Sequence, residues 1–388
     1  MNSFREDFLL DPDIILFNHG SFGATPRPVF ESYQRWQIEL EHNPVKFLQR
    51  RLPKLLEEAR AKLAEYVHTK TENVIFVTNA TFGMNVIIKS LKLKAGDQVL
   101  TTDQEYGAIN NTWNFMAERS GFQYINHHIP LPVTTREAFV DSLWEGVTPN
   151  TRVISLSHIT SSMALILPVD LVAKRAREAG IITVVDGAHA PGQIPLDLDQ
   201  IGADFYVGNL HKWLCAPKGA GFFYTRPEMQ RMLEPLVVSH GYRKDPAART
   251  FVDMQQNQGT RDPSAFLAVP DAIRYLNDHN WDQVRADCHA LAASAQQRMI
   301  DTYGVQPVSP VDANPSWFSQ MLCVPLPKMD FKKFSQYLLD ELKMEIPVMS
   351  YGERPRVRLS VQAYNTPEEV DTLVEAVHKF ATKEPVPA

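Results

Sequence analysis

The strongest constraint on this chain is a run that has no wet face. Residues 181–186 read IITVVD, five β-branched residues in a row ending on an acid. A strand with one side in water alternates apolar and polar residues. This run does not, so it belongs in a sheet buried on both faces. Further short strands are expected at Val74 to Thr78, Asp97 to Thr102, Arg152 to Ser157, Phe205 to Gly208 and Gly221 to Tyr224. Helical stretches lie between them, from about Thr81, over Tyr106 to Ser120, and over Pro168 to Ala179 with its proline in the first turn. Strands alternating with helices predict an α/β fold with helices on both faces of the sheet. Ligands bind such sheets at the carboxyl ends of the strands.

The texture changes near Pro270. Helices over Asp271 to His279 and Gln283 to Thr302 precede short strands at Gln320 to Pro325 and Arg356 to Val361. A helix near Asp330 to Leu342 sits between those strands, and another follows Pro367. This reads as a smaller α+β unit over 270–388.

With 388 residues, 44% hydrophobic and 22% charged, the chain has ordinary globular composition and can bury a large core. A net charge of −6 without a basic run argues against nucleic acid or an anionic membrane as the main partner. Cys215, Cys288 and Cys323 form no CxxC pair, and so no metal or disulfide framework is expected. The opening MNSFREDFLLDPD lacks the basic start and apolar core of a signal peptide, and no apolar run approaches a membrane span. A cytoplasmic protein is expected.

The densest chemical signal is GADFYVGNLHKWLCAPKGAGF, residues 202–222, where a strand runs into a turn carrying Asn209, His211 and Lys212. A buried lysine is costly to charge; its pKa falls, and it becomes a Schiff-base former or a proton shuttle. Taken alone, Lys212 also reads as a surface lysine in a loop. A second signal, VVDGAHAPGQIP, puts Asp186 at a strand end 26 residues before Lys212, with His189 three residues on. Pyridoxal phosphate (PLP) chemistry needs a carboxylate against the pyridine nitrogen, and a donor to the ring 3-oxygen suits His189. The alternative is an Asp capping its own turn.

Three weaker signals accompany these. TNATFGMN, residues 78–85, brings a strand through a small-residue turn into a helix, where Ala80 and Thr81 are placed to bind phosphate; an ordinary helix cap is the alternative. Tyr106 in DQEYGAI is either a stacking aromatic or a core tyrosine. In RVRLSVQAYNT, alternation puts Arg356, Arg358 and Ser360 on one face, as a carboxylate fork or as the charged trim of an exposed edge strand.

In order, TNAT, DQEY, SHITSS, VVDGAHAPG, GNLHKW, QGTRD and RLSVQAYN resemble the class V aminotransferase family of fold-type I PLP enzymes, over about residues 13 to 380. FNHGSFGATPRPVF, HITSSMALILP and HKWLCAPKGAGF are most similar to its isopenicillin N epimerase-like branch. The resemblance implies a large, mostly parallel seven-stranded sheet domain over 21–269. It implies a smaller α+β domain formed by 1–20 and 270–388.

It also implies roles for particular residues. Lys212 is the Schiff-base lysine, Asp186 the acid on the pyridine nitrogen and His189 the partner of the 3-oxygen. Tyr106 stacks on the ring. Ala80, Thr81 and His211 bind phosphate, and Asn209 stands where relatives carry a phosphate-binding serine. Ser161 replaces an asparagine near the 3-oxygen. Thr260 reaches the cofactor of a second subunit, which implies a homodimer with shared sites. Arg358 binds the substrate carboxylate, and Asn18, His19, Gly20 and Ser21 form a loop that closes on it.

The implied activity is removal of the Cα proton from an amino acid or cysteinyl peptide by Lys212. Reprotonation on the far face gives an epimer, with Tyr106 as a candidate acid. Loss of a sulfur group from Cβ would instead make the protein a C–S lyase of the cysteine desulfhydrase type, releasing pyruvate. Transamination and a non-catalytic scaffold remain as alternatives. A persulfide-forming desulfurase needs a cysteine near IPVMSYGERP, and none stands there.

Overall fold

A computed structural model describes residues 2–314, 316–351 and 354–383. The strands in chain order are β1 (Ile15–Leu16), β2 (Val74–Val77), β3 (Gln98–Thr102), β4 (Gln123–His127), β5 (Thr151–Ser157) and β6 (Ile182–Asp186). They continue with β7 (Phe205–Asn209), β8 (Gly221–Thr225), β9 (Met321–Pro325), β10 (Met344–Glu345), β11 (Val348–Tyr351) and β12 (Arg354–Ser360).

Seven of them form the main sheet in the order β2-β8-β7-β6-β5-β3-β4. Only β8 runs against the rest, pairing antiparallel with both β7 and β2. Both faces are covered, as the apolar strands require. Leu156, Val185, Tyr206 and Phe222 face one hydrophobic cluster, while Val153, Val184, Val207 and Phe223 face another. β4 has no counterpart in the strands read from the sequence. It is an edge strand, QYINH, with no fully buried residue, so it carries none of the apolar density that marks its neighbours.

Helices Arg27–His42 and Leu52–Tyr66 precede the sheet. After it come helices Val269–Asp278 and Trp281–Tyr303 and a three-stranded sheet in the order β11-β12-β9, with helix Phe331–Leu342 packed on β11. The chain's start is woven into this later part. β1 pairs in parallel with β10, and the Ser360 N–H donates to the Phe17 carbonyl. No helix among the described residues is long and apolar enough to cross a membrane.

β3 is where the winding reverses, with β4 on one side and β5 on the other. The carboxyl ends of β2, β3, β5, β6 and β7 therefore open around one crevice, the expected place for a ligand.

Candidate active site

A cavity of about 240 Å³ occupies that crevice. Asn79, Ala80 and Thr81 line it after β2 and Tyr106 after β3. Ser157 ends β5 and Ser161 follows it, Asp186 ends β6 and His189 follows it, and Asn209 ends β7 ahead of His211 and Lys212. Ser21 and Phe22 reach it from the N-terminal segment. Residues from Asn79 to Lys212 thus meet because five parallel strands end at one level.

Lys212 Nζ lies 3.1 Å from His189 Nε2. Burial pulls the Lys212 amine down to about 8; nearby Asp186 opposes the shift and Arg358 adds to it. Burial likewise holds His189 well below its usual value, so the imidazole is neutral. Its Nε2 then accepts from the lysine, and Nδ1, buried without a partner, carries the proton.

Asp186 is buried at the end of β6, and burial raises its pKa. Its Oδ1 accepts from the Ala188 N–H at 3.0 Å; that bond and the nearby Lys212 oppose the shift. A buried carboxylate with no cation in direct contact is an expensive arrangement that a pyridinium would relieve.

At the other end, Asn79 caps helix Ala80–Ser90 by accepting from the Phe82 N–H at 2.8 Å. The Ala80 N–H is taken up by Asn209 Oδ1 at 2.8 Å, so Ala80 has no free donor for an anion. The Asn209 amide keeps its N–H donors, and Asn209 and Thr81 both line this side of the cavity. His211 turns Nδ1 toward the Ala220 carbonyl at 3.1 Å, and burial pulls its pKa down to about 4. Its Nε2 would donate to an anion only as imidazolium, which a nearby phosphate dianion favours.

Arg358 overturns the edge-strand alternative. β12 is the central strand of its sheet, and Arg358 is only 6% exposed. One guanidinium nitrogen donates to the Ser161 carbonyl at 2.7 Å and to Ser161 Oγ at 3.2 Å. The other donates to Ser21 Oγ at 2.7 Å and Asn18 Oδ1 at 3.3 Å. Nε is buried and unpartnered. Ser161 is thereby coupled to Arg358. Arg356 lies elsewhere, against Met163 and Cys323.

The four residues 18–21 divide. Asn18 and Ser21 bond Arg358, and of the four only Ser21 lines the cavity, which Arg358 borders through it. His19 is buried behind Lys212. His19 packs on Trp213, with Nε2 3.0 Å from the Lys212 carbonyl and Nδ1 3.0 Å from the Tyr364 hydroxyl. Burial lowers its pKa to about 3. Gly20 is closely packed too: a Cβ there would stand 2.7 Å from Met321 Sδ. Thr260 is exposed and is not among the residues lining its own chain's cavity.

Ser157, Asn79 and Phe22 belong to the cavity but were not singled out from the sequence. Asn79 and Ser157 sit within motifs already quoted, TNAT and SHITSS. Phe22 is 73% exposed, and nothing in its spacing marks it.

The sequence model for aminotransferase class V matches residues 15–373. The chain belongs to the class V aminotransferase family. Within reach of this class V protein is an isopenicillin N epimerase of Amycolatopsis lactamdurans, 35% identical, with 97% of this chain and 98% of the relative covered. A probable chloroplastic L-cysteine desulfhydrase of Arabidopsis thaliana is 27% identical, covering 95% of this chain and 83% of the relative. Among solved structures, the apo cysteine desulfurase of Thermococcus onnurineus NA1 superposes with a TM-score of 0.83 at 21% identity, covering 98% and 97% of the two chains. The class V protein thus has the fold-type I architecture.

The donor set of the class V protein fits PLP. A lysine amine with a lowered pKa, a buried carboxylate whose pKa burial raises, an orphaned imidazole N–H and a helix start lie around one cavity. An aldehyde, a pyridinium, a phenolic oxygen and a phosphate would complement them in turn.

Proposed function

We propose that this protein is a PLP-dependent enzyme that removes the Cα proton of an amino acid or cysteinyl peptide and returns it on the other face, as an epimerase of the isopenicillin N epimerase type. The observation that carries the reading is the Lys212 amine, buried within hydrogen-bond reach of a neutral His189 in a cavity that also holds the buried Asp186. Likeness to an isopenicillin N epimerase over nearly the full length of both chains gives the reaction class its direction.

Bound there, PLP supplies a ring that stabilises negative charge at the Cα of an attached amino acid. Lys212 would hold the cofactor covalently and later, as a neutral amine, take the Cα proton. Asp186 would keep the pyridine nitrogen protonated and His189 would hold the 3-oxygen. Thr81 would bind the phosphate, joined by His211 once protonated. Arg358, anchored through Ser161, Ser21 and Asn18, would receive the carboxylate. Tyr106, at the mouth, is the candidate acid for the far face. Thr260, exposed and outside its own cavity, supports a homodimer in which it completes the second subunit's site.

A second reading is β-elimination from a cysteine-like substrate, supported by the likeness to an L-cysteine desulfhydrase. A persulfide mechanism is not supported. All three cysteines are buried, none lines the cavity, and burial pushes the Cys215 and Cys288 thiols up to about 12. Three unpaired thiols suit a reducing compartment, hence the cytoplasm.

Proton NMR in D₂O separates the readings. The PLP-loaded enzyme is offered L-cysteine, a cysteine conjugate, a cysteine sulfoxide and a bulky cysteinyl peptide, with Lys212→Ala as control. Cα deuteration with the skeleton intact and the other epimer appearing supports the epimerase. Pyruvate with a released sulfur fragment establishes the lyase instead.

A further inference from the structure

The backbone ladder between β3 and β5 stops early. Its last registered pair is Leu100 with Ile154, well short of Ser157 at the end of β5. Beyond that point no backbone pair joins the two strands, and side chains link them instead. Thr101 Oγ1 donates to the Ser155 carbonyl at 2.6 Å. Past it, Glu105 joins the two strand ends. Thr102 Oγ1 donates to Glu105 Oε1 at 2.7 Å, while the Ser157 N–H and hydroxyl donate to Oε2 at 2.8 and 2.6 Å.

Each end of this bridge touches the cavity. The next residue after Glu105 is Tyr106, a cavity residue on the β3 side. Ser157 is a cavity residue on the β5 side and the registered neighbour of Asp186 in β6. The two also share a face of the sheet, since strand residues alternate and Leu156 and Val185 both point to the other cluster. No part of the proposed reaction uses Glu105. Burial pushes its carboxyl up to about 7; its bonds to Ser157 and Thr102 oppose the shift and Asp186 adds to it. Closing the end of a sheet does not require an acid held at such a cost.

We infer that Glu105 is a positioning residue, a tie across the split between β3 and β5 that sets the gap between Tyr106 and the Ser157–Asp186 edge, and so the width of the slot for the cofactor ring. The inference rests on this cavity being the PLP site. A carboxylate suits the task because it accepts from three donors on two strands at once. Glutamine could do most of it. Its oxygen would face the two Ser157 donors, and its amide would donate to a Thr102 hydroxyl turned to accept.

The test is PLP affinity and the visible circular dichroism of the bound cofactor, for wild type, Glu105→Ala, Glu105→Gln and Thr102→Val. Wild type that fails to bind PLP defeats the reading of the site itself. Given wild-type binding, Glu105→Ala should weaken affinity at least about tenfold and change the dichroism, which reports ring orientation. Glu105→Gln should restore both. Thr102→Val, which cuts one strand of the tie, should weaken affinity about threefold with the same dichroism change. Wild-type affinity and dichroism in Glu105→Ala would overturn the inference. So would a loss of melting temperature alone, or a glutamine variant as poor as the alanine. If Glu105→Ala does not fold, an unchanged Thr102→Val overturns it equally.

Discussion

Lys212 Nζ and His189 Nε2 stand 3.1 Å apart with no charge on the imidazole, so the lysine meets an acceptor rather than a competing cation. With its pKa drawn down to about 8, Lys212 keeps a usable neutral fraction near pH 7. That is the state required both to attack an aldehyde and to take a proton.

The rate of PLP capture should follow that neutral fraction. Below the lysine's pKa of about 8 the amine is increasingly protonated. The stopped-flow rate should climb about tenfold per pH unit there and flatten above it. Lys212→Ala should show no such limb and lose at least about a thousandfold in turnover. Multiple turnover at near wild-type rate would remove Lys212 from its role.

Asp186→Asn separates two effects of one carboxylate. The Asp186 charge raises the Lys212 pKa, so removing it should shift the capture profile toward acid. It should also cost about a hundredfold in kcat, because the pyridine nitrogen loses its charged partner. A profile that stays in place, with kcat intact, would show that Asp186 only caps its own turn.

Arg358→Lys keeps the charge and loses the fork. The lysine cannot bond Ser161 and the Asn18–Ser21 loop together, so KM for a carboxylate substrate should rise about tenfold with kcat within a few-fold. Steady-state kinetics beside a thermal melt decide it. A fall in Tm with KM unchanged would leave Arg358 as a structural strut.

Gly23→Ala should be severe. Gly23 has φ of +70°, and a Cβ there would stand 2.0 Å from the His211 carbonyl oxygen and 2.9 Å from Lys212 Cα. Either the Gly23 turn or the turn carrying Lys212 must move, at a cost of at least about 2 kcal/mol in unfolding experiments. Gly96→Ala, also at positive φ but with open space around its Cβ, is the control and should cost less.

The proposed sharing of sites between two subunits predicts complementation. Lys212→Ala and Thr260→Asp subunits should each be inactive alone. Mixed and reassorted, they should recover about a quarter of wild-type activity, since half the dimers would then carry one intact site. No recovery in verified heterodimers would place Thr260 outside the neighbouring site.

Much of this architecture was legible from residues alone. The strands of the main sheet that lie between neighbours announce themselves as apolar runs, and acids or lysines at their ends point into the crevice. β4 escaped because none of its residues is fully buried, unlike β2 at the opposite edge, so it carries no apolar run. His19 read as part of a substrate loop because the resemblance covers Asn18 to Ser21 as one motif; its own ring turns inward, which a linear motif cannot express. Arg358 read equally well as an exposed edge because strand alternation gives the face but not the neighbours. Glu105 went unremarked beside Tyr106 because its partners, Thr102 and Ser157, lie on strands that the sequence separates and the winding reversal brings together.

The weave of the chain's start into its later part has a consequence for biosynthesis. Residues 15–23 rest on Met344, Ser360 and Tyr364 and press on the backbone of residues 211–212. The first of these segments leaves the ribosome long before its partners exist. The seven-stranded sheet can therefore form with its lysine in place while one wall of the pocket is still missing. The nascent enzyme should pass through a stage in which Lys212 is open to any passing aldehyde, and selectivity arrives only when the last strand closes over the first.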